Sequence, residues 1–251
     1  MKITLDARRS LHENAAAYYE EAKKWKSKAD GVKKAMLETK KKIEKAKKIK
    51  LVEKKVRVKE FKKKEWFEKY HFFFTTDGFL VIAGKDAKQN DLLGSKHLDE
   101  NDYFYHADIT GAAATILKTD GRTPKQLDEL EAAQWAACYS RAWKQKYHSV
   151  DVYRVLGSQT SKQSQGEYVG KGGYMIHGER TWFRNTELKI SIGKENGKLV
   201  AKPAIHSKKP AGAILTPGDT PKNAVAKQLA KKLDAVEDEL MQLIPGDCEV
   251  A

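Results

Sequence analysis

Leu11, Ala15, Tyr18, Ala22, Trp25, Ala29, Val32, Met36, Thr39, Ile43 and Ala46 follow one another at alternating spacings of four and three residues, and ten of the eleven are apolar. A 4-3 repeat sustained over five heptads is the pattern of a coiled-coil seam. A helix over 11–46 would extend about 54 Å at ~1.5 Å per residue. Gly31 weakens its middle by ~1 kcal/mol relative to alanine without breaking the pattern. Such a stripe predicts a partner that buries Trp25 and Met36. The candidates are a second copy, another helix of a longer protein, or residues 47–64 folded back, of which the last is short and lysine-rich.

From Trp66 the pattern changes. Tyr70–Phe74 and Phe79–Ala83 are β-rich runs around Thr75-Thr76-Asp77-Gly78, and an Asp-Gly pair in that setting predicts a hairpin. Asp86 to Leu98 reads as a helix with Asp86 at its N-cap, Asn90 on the same face and Asp91 beside it. Tyr103–Tyr105 and Ala114–Leu117 read as strands. Thr123-Pro124 then opens a helix to about Trp143 that buries Leu127, Leu130, Ala133, Trp135 and Ala136. Strands are expected at Val150–Leu156, Tyr174–Ile176 and Leu188–Ile192, with a hairpin turn at Glu195-Asn196-Gly197-Lys198. Asp219–Leu243 reads as a second long helix, capped by Thr220 with Pro221 at its start. Strands and helices mix without regular βαβ alternation, so the class is α+β: a mixed sheet with packed helices behind a long N-terminal helix. The domains are 1–64, a basic arm, and 65–251, with a motif-bearing core to about 193 and further strands and a helix after it.

Charge sharpens this division. The 251 residues carry a net +14. Residues 1–64 hold 23 Lys and Arg against nine Asp and Glu, which accounts for the whole excess; the other 187 residues are neutral. Within the arm, Lys40–Lys64 has 14 basic residues against Glu44, Glu53 and Glu60. Charge runs are usually solvated helix faces, but one this local and one-sided points to a polyanion. The two cysteines, Cys138 and Cys248, lie far apart without a CxxC, excluding a zinc finger of usual spacing and a disulfide framework. The histidines show no zinc spacing, so no metal and no cofactor is expected. No apolar run of membrane-spanning length exists, Met1–Leu5 is too short for a signal peptide, and a cytoplasmic protein without membrane contact is expected.

Several ordered motifs carry a resemblance. They are Trp66-Phe67-Glu68-Lys69-Tyr70, then Thr76 to Ala87 with Asn90, His106-Ala107-Asp108-Ile109-Thr110-Gly111-Ala112, and Ala136 to Trp143. They continue through Gln159-Thr160-Ser161-Lys162, Gly166-Glu167-Tyr168 and Gly173 to Gly178. In this order the chain resembles the C-terminal half of an archaeal or eukaryotic-type NFACT protein, a coiled coil followed by the NFACT-R domain. The likeness weakens beyond about residue 220. Lys85 stands where Arg is commoner, and Gly173 where Ser is commoner. The resemblance implies an RNA-binding module that recognises stalled large ribosomal subunits carrying tRNA, in ribosome-associated quality control. The family's NFACT-N domain and helix-hairpin-helix segment are not in this sequence, so tailing residues assigned to NFACT-N cannot be carried over. The chain is then either a fragment or a stand-alone form.

Candidate RNA contacts follow from charge, loops and resemblance together: Lys45, Lys47, Lys48, Lys54, Lys55, Lys85, His106, Asp108, Lys162, Lys171, Arg180, Trp182 and Arg184. His106 and Asp108 alternate on a strand end. They suit a base and its orienting acid, or equally a structural hydrogen-bonded pair. No nucleophile is placed beside them, so catalysis is not expected. The Gly157–Gly173 loop holds Lys162, Lys171 and closing glycines that suit phosphate, though it lacks the GxxxxGK[ST] order and would serve equally as a solvated loop. Trp135, Trp143 and Phe72–Phe74 are expected in the core, and Trp182, between Arg180 and Arg184, is the stacking candidate. Two other readings remain: a coiled-coil adaptor for protein contacts, and an RNA-processing enzyme.

Overall fold

The computed structural model describes residues 3–53, 65–162 and 170–251, for 45–53 the backbone alone. The chain divides into two units between Lys63 and Lys64.

The first unit is one helix, α1 (Leu11–Glu53), with a short leader. Its start is a capping box: the Ser10 N–H donates to Glu13 Oε2 at 2.7 Å, and the Glu13 N–H donates to Ser10 Oγ at 3.3 Å. Asn14 is buried against the leader, accepting from the Asp6 N–H at 2.9 Å, and the Tyr18 hydroxyl donates to Thr4 O at 2.6 Å. Gly31 does not interrupt the helix. The expectation that Trp25 and Met36 are buried is not met by the described residues. They are 60% and 56% exposed, in a stripe shared with Leu11, Val32 and Ile43. The heptad pattern dictates the helix, but within the first unit no described residue covers the seam at Trp25 and Met36.

The second unit begins with a 3-10 turn at Trp66–Lys69 and then the hairpin of β1 (His71–Phe74) and β2 (Leu80–Ala83). Gly78 supplies the turn's positive φ of 84°, and the Thr75 N–H closes it onto Phe79 O at 2.9 Å. Then come α2 (Ala87–Lys96), β3 (Tyr103–Ala107), β4 (Thr115–Leu117), α3 (Gln126–Cys138), α4 (Arg141–Lys144) and β5 (Ser149–Leu156). Two short strands, β6 (Thr160–Ser161) and β7 (Met175–Ile176), pair with each other, and β8 (Thr181–Glu187) follows. The C-terminal part comprises β9 (Ile190–Glu195), β10 (Lys198–Pro203), β11 (Ala211–Pro217), α5 (Lys222–Leu233), α6 (Glu237–Leu243) and β12 (Cys248–Val250).

Six strands form an antiparallel sheet in the order β1-β2-β4-β3-β5-β8, and four form a second sheet in the order β10-β9-β11-β12. Alternation on β3 shows how the first sheet is buried on both faces. Tyr105 and Ala107 join the core around α3, while Phe104 points into a second cluster with Ile82, Leu93 and Tyr153 beneath α2. α3 lies against β3, β4, β5 and β8 on one side and β10 on the other. Its Ala132, Ala133, Ala136 and Ala137 are all buried, as close approach from two sides requires. The architecture is α+β, as the pattern predicts.

Three details expected from the pattern are corrected. The helix expected from Pro124 to Trp143 starts at Gln126 and stops at Cys138, because Ser140 recaps the chain by accepting from the Ala142 N–H at 3.2 Å. Its Leu127 and Leu130 are only half-buried, while Asp128 and Glu131 are fully buried. These two carboxylates brace the β1–β2 turn. Glu131 accepts from the Thr76 N–H at 2.8 Å and from its hydroxyl, and Asp128 accepts from the Asp77 N–H at 3.2 Å. Last, the long helix expected over 219–243 is broken: Pro221, not Thr220, is its N-cap, and Asp234 ends α5 in the left-handed region at φ 46° before α6 begins.

Candidate functional site

One end of the six-stranded sheet carries a cleft of about 540 Å³. Its floor is strand-end backbone and side chain: His71 opens β1, Gly84 follows β2, His106 lies near the end of β3, and Ala112 and Ala113 lead into β4. One wall is the first turn of α2, with Lys85, Asp86, Ala87 and Asn90. The facing wall is the α3–α4 junction, with Tyr139, Ser140, Arg141 and Lys144. Gly170, Lys171, Gly172 and Gly173 close the rim.

The chemistry of this lining is one-sided. Lys85, Arg141, Lys144 and Lys171 face a single lining carboxylate, Asp86, which already caps α2 by accepting from the Gln89 N–H at 2.8 Å. In residues 65–251, whose charges cancel overall, this is a local concentration of cations. Two histidines lie among them in neutral form. Burial holds His71 down to about 3, helped by the Lys85 and Lys222 ammonium groups, and its ring stacks on Tyr139 at 3.9 Å. Burial also lowers His106, against smaller opposing contributions from its backbone hydrogen bond at Ala107 and from Asp108. Asn90 is buried, and its Oδ1 accepts from the Ala114 N–H at 3.2 Å. The tightness comes from Gly84, where a Cβ would meet Asn90 Oδ1 at 2.1 Å. Burial raises the Tyr139 phenol, whose hydroxyl donates to Leu243 O at 2.6 Å.

The structure gathers some sequence candidates here and disperses others. Lys85, His106 and Lys171 line the cleft. Asp108 lies past the end of β3, exposed, and reaches His106 as a nearby charge; the hydrogen-bonded His106–Asp108 pair is not formed. Lys162 is tied down by Asp91, by Gly173 O at 2.7 Å and by the Tyr174 ring at 4.0 Å, so it fastens the loop to α2. Arg180, Trp182 and Arg184 stand at β8. Arg180 covers Tyr153 at 4.6 Å; Arg184 pairs with Asp151 at 2.6 Å and covers Trp182 at 4.1 Å. One face of the Trp182 ring thus carries the Arg184 guanidinium. Lys45, Lys47 and Lys48 fall where only the backbone is described, and Lys54, Lys55 and the 163–169 part of the glycine-rich loop lie outside the described residues.

Four lining residues, His71, Tyr139, Arg141 and Lys144, were not singled out by the sequence pattern, and Asn90 reads there only as sharing a helix face with Asp86. Arg141 stands within one of the family motifs, but nothing local aims it at residue 71. Among the described residues there is no group of three or more metal-ligating side chains, and no helix is long and apolar enough to cross a membrane.

Residues 69–178, which include all of this cleft but its last lining residue, Pro245, match the family model described as NFACT protein RNA binding domain. The archaeal Rqc2 homolog aRqcH of Methanocaldococcus jannaschii is 38% identical over 200 residues, 75% of this chain and 30% of the relative. This chain belongs to the NFACT family. The ribosome quality control complex subunit NEMF homolog of Drosophila melanogaster is 31% identical over 76% of the chain and 20% of its own length. The human ribosome quality control complex subunit NEMF is 30% identical over 71% of the chain and 17% of its own length. The NFACT chain therefore spans less than a third of each of these relatives.

Proposed function

We propose that this chain is the RNA- and ribosome-binding module of a ribosome quality control factor, which recognises stalled large ribosomal subunits with tRNA and does no chemistry itself. One observation carries the reading: four cations against a single carboxylate line a cleft inside the NFACT RNA-binding region of a domain that is neutral overall. Phosphate is the ligand that such a lining recognises, through charge-assisted hydrogen bonds from Lys and Arg. The basic arm adds sequence-independent attraction by counterion release, which fixes affinity to salt concentration. The quality-control role follows from the names of the relatives.

The test is gradient fractionation of purified ribosomal subunits with the chain added, at two salt concentrations. The expected result is co-migration with large subunits that is lost as salt rises. Co-migration with neither subunit, together with salt-insensitive retention of RNA, would overturn the reading. The exposed apolar stripe of α1 favours a second role beside the first, an adaptor surface for protein contacts. It predicts association that survives nuclease treatment.

A further inference from the structure

Resting on that reading, we propose that the cleft at the sheet end holds one unpaired nucleotide of RNA, its phosphate on Arg141 and Lys144 and its base or ribose against His71 and Asn90.

Size comes first. A volume of about 540 Å³ lies within the ~300–1,000 Å³ of sites that enclose a single small molecule. A duplex meets a protein with its outer backbone and leaves its bases stacked inside. It can touch the rim of such a cleft but cannot send a base or sugar to its floor. RNA recognition in pockets therefore uses loops, bulges and ends, whose bases can be turned out.

The second observation concerns two polar groups of the lining, one on the α2 wall and one on the floor. Asn90 is more than nine-tenths buried, and its carbonyl oxygen is used by the Ala114 N–H. Its amide NH2 donates to no protein acceptor among the described residues, yet the side chain lines the cleft. The His71 ring, half-buried and stacked on Tyr139, likewise makes no hydrogen bond to a described residue and lines the same space. Neither group is sealed off from the cleft, so both present unused hydrogen-bonding capacity to whatever enters it. A neutral imidazole offers one donor and one acceptor, and the Asn90 amide two donors, which suits the mixed edge of a base or a ribose hydroxyl. A bare phosphate would leave the His71 acceptor without a use.

The rim supplies the charge. Arg141 and Lys144 are exposed, neither forms an ion pair with a described residue, and both sit on α4, in the wall that faces the Asn90 side of the cleft. Lys171 stands on the third side. One nucleotide thus meets donors for its phosphate at the mouth and neutral polar groups at the base.

The experiment measures affinity by fluorescence anisotropy on the full chain, with a labelled eight-nucleotide single strand and a blunt duplex of the same sequence. Wild type is compared with Arg141→Gln/Lys144→Gln, whose exposed positions keep the fold intact, and with His71→Phe, which retains the stack on Tyr139. The expected result is tighter binding of the single strand. The double variant should lose about tenfold or more on the single strand, the cost of two charge-assisted hydrogen bonds, and little on the duplex. Its single-strand salt slope should flatten by about 1.4. His71→Phe should weaken single-strand binding without changing the slope. Equal affinity for both RNAs, or a double variant that lowers both alike, overturns the nucleotide pocket while leaving RNA binding in place. Retention of neither RNA by wild type overturns both.

Discussion

The brace between α3 and the first hairpin allows a quantitative test of the packing. Glu131 is fully buried and receives two hydrogen bonds from one residue, the Thr76 N–H at 2.8 Å and the Thr76 hydroxyl. Glu131→Ala removes both acceptors, strands a backbone donor in the turn and leaves a small void. Hydrogen bonds to a charged group contribute ~1.5–3 kcal/mol each, and the surviving hydrogen bond of Thr76 with Ser207 Oγ at 2.8 Å offsets part of that deficit. We expect a destabilisation of about 3–4 kcal/mol. Glu131→Gln keeps the shape and one carbonyl acceptor for the Thr76 N–H, and the hydroxyl can turn to accept from the new amide. Its cost should be within about 1 kcal/mol. Urea denaturation of both variants gives the two values, and amide exchange at Thr76 reports the turn directly. The turn lies at the end of the hairpin away from His71, three strand steps or roughly 10 Å along β1, so RNA affinity of folded Glu131→Ala should be unchanged. Equal costs for Ala and Gln, or an Ala variant within about 1 kcal/mol of wild type, would refute the idea that the buried carboxylate holds the turn.

Three further outcomes are expected. His71 is held near 3 in the fold against about 6.5 when unfolded, so the unfolded chain takes the proton first and stability falls as pH drops through 6.5; at pH 4.5 this amounts to about 2–3 kcal/mol, and His71→Phe should recover it in thermal melts compared at pH 7.5 and 4.5. Replacing Lys45, Lys47, Lys48, Lys54 and Lys55 by Gln should weaken binding to unrelated RNAs and flatten the log–log salt slope by several units, at roughly 0.7–0.9 for each phosphate no longer neutralised; an unchanged slope would make the arm a solvated spacer. Purified chain should neither cleave nor modify RNA, and turnover that disappears in both His106→Ala and Asp108→Asn with the fold intact would contradict the binding role.

The sequence pattern carried most of the elements because most obey local rules: the Asp77-Gly78 hairpin, the Asp86 cap and the Asn196-Gly197 turn each have a residue that the backbone requires. It failed where a distant group decides. On α3 the apolar Leu127 and Leu130 were the obvious inward residues, yet Asp128 and Glu131 take the interior because the hairpin turn, about fifty residues earlier, presents amide donors to them. The break at Asp234 and the recapping by Ser140 rest on single backbone angles and hydrogen bonds that no apolar period encodes. The cleft was half-legible for the same reason. Lys85, His106 and Lys171 stood out by composition and motif, whereas His71, Arg141 and Lys144 acquire meaning only when β1 and α4 meet. The heptads of α1 specified a helix, but a seam's partner is not written in the seam.

The wall that carries Arg141 and Lys144 is fastened from far along the chain. Tyr139 donates to Leu243 O, and the Trp143 indole donates to Asp247 O at 3.0 Å, each across 104 residues of sequence. Pairings of such separation close late, because the loop entropy must be met before they form. On the ribosome that makes this chain, the hairpin and the first sheet strands emerge well before residues 243–247 do. The cationic mouth therefore gains its final geometry only after the C-terminal segment is free to dock. An unfinished copy carries the charges before the wall that presents them is fastened.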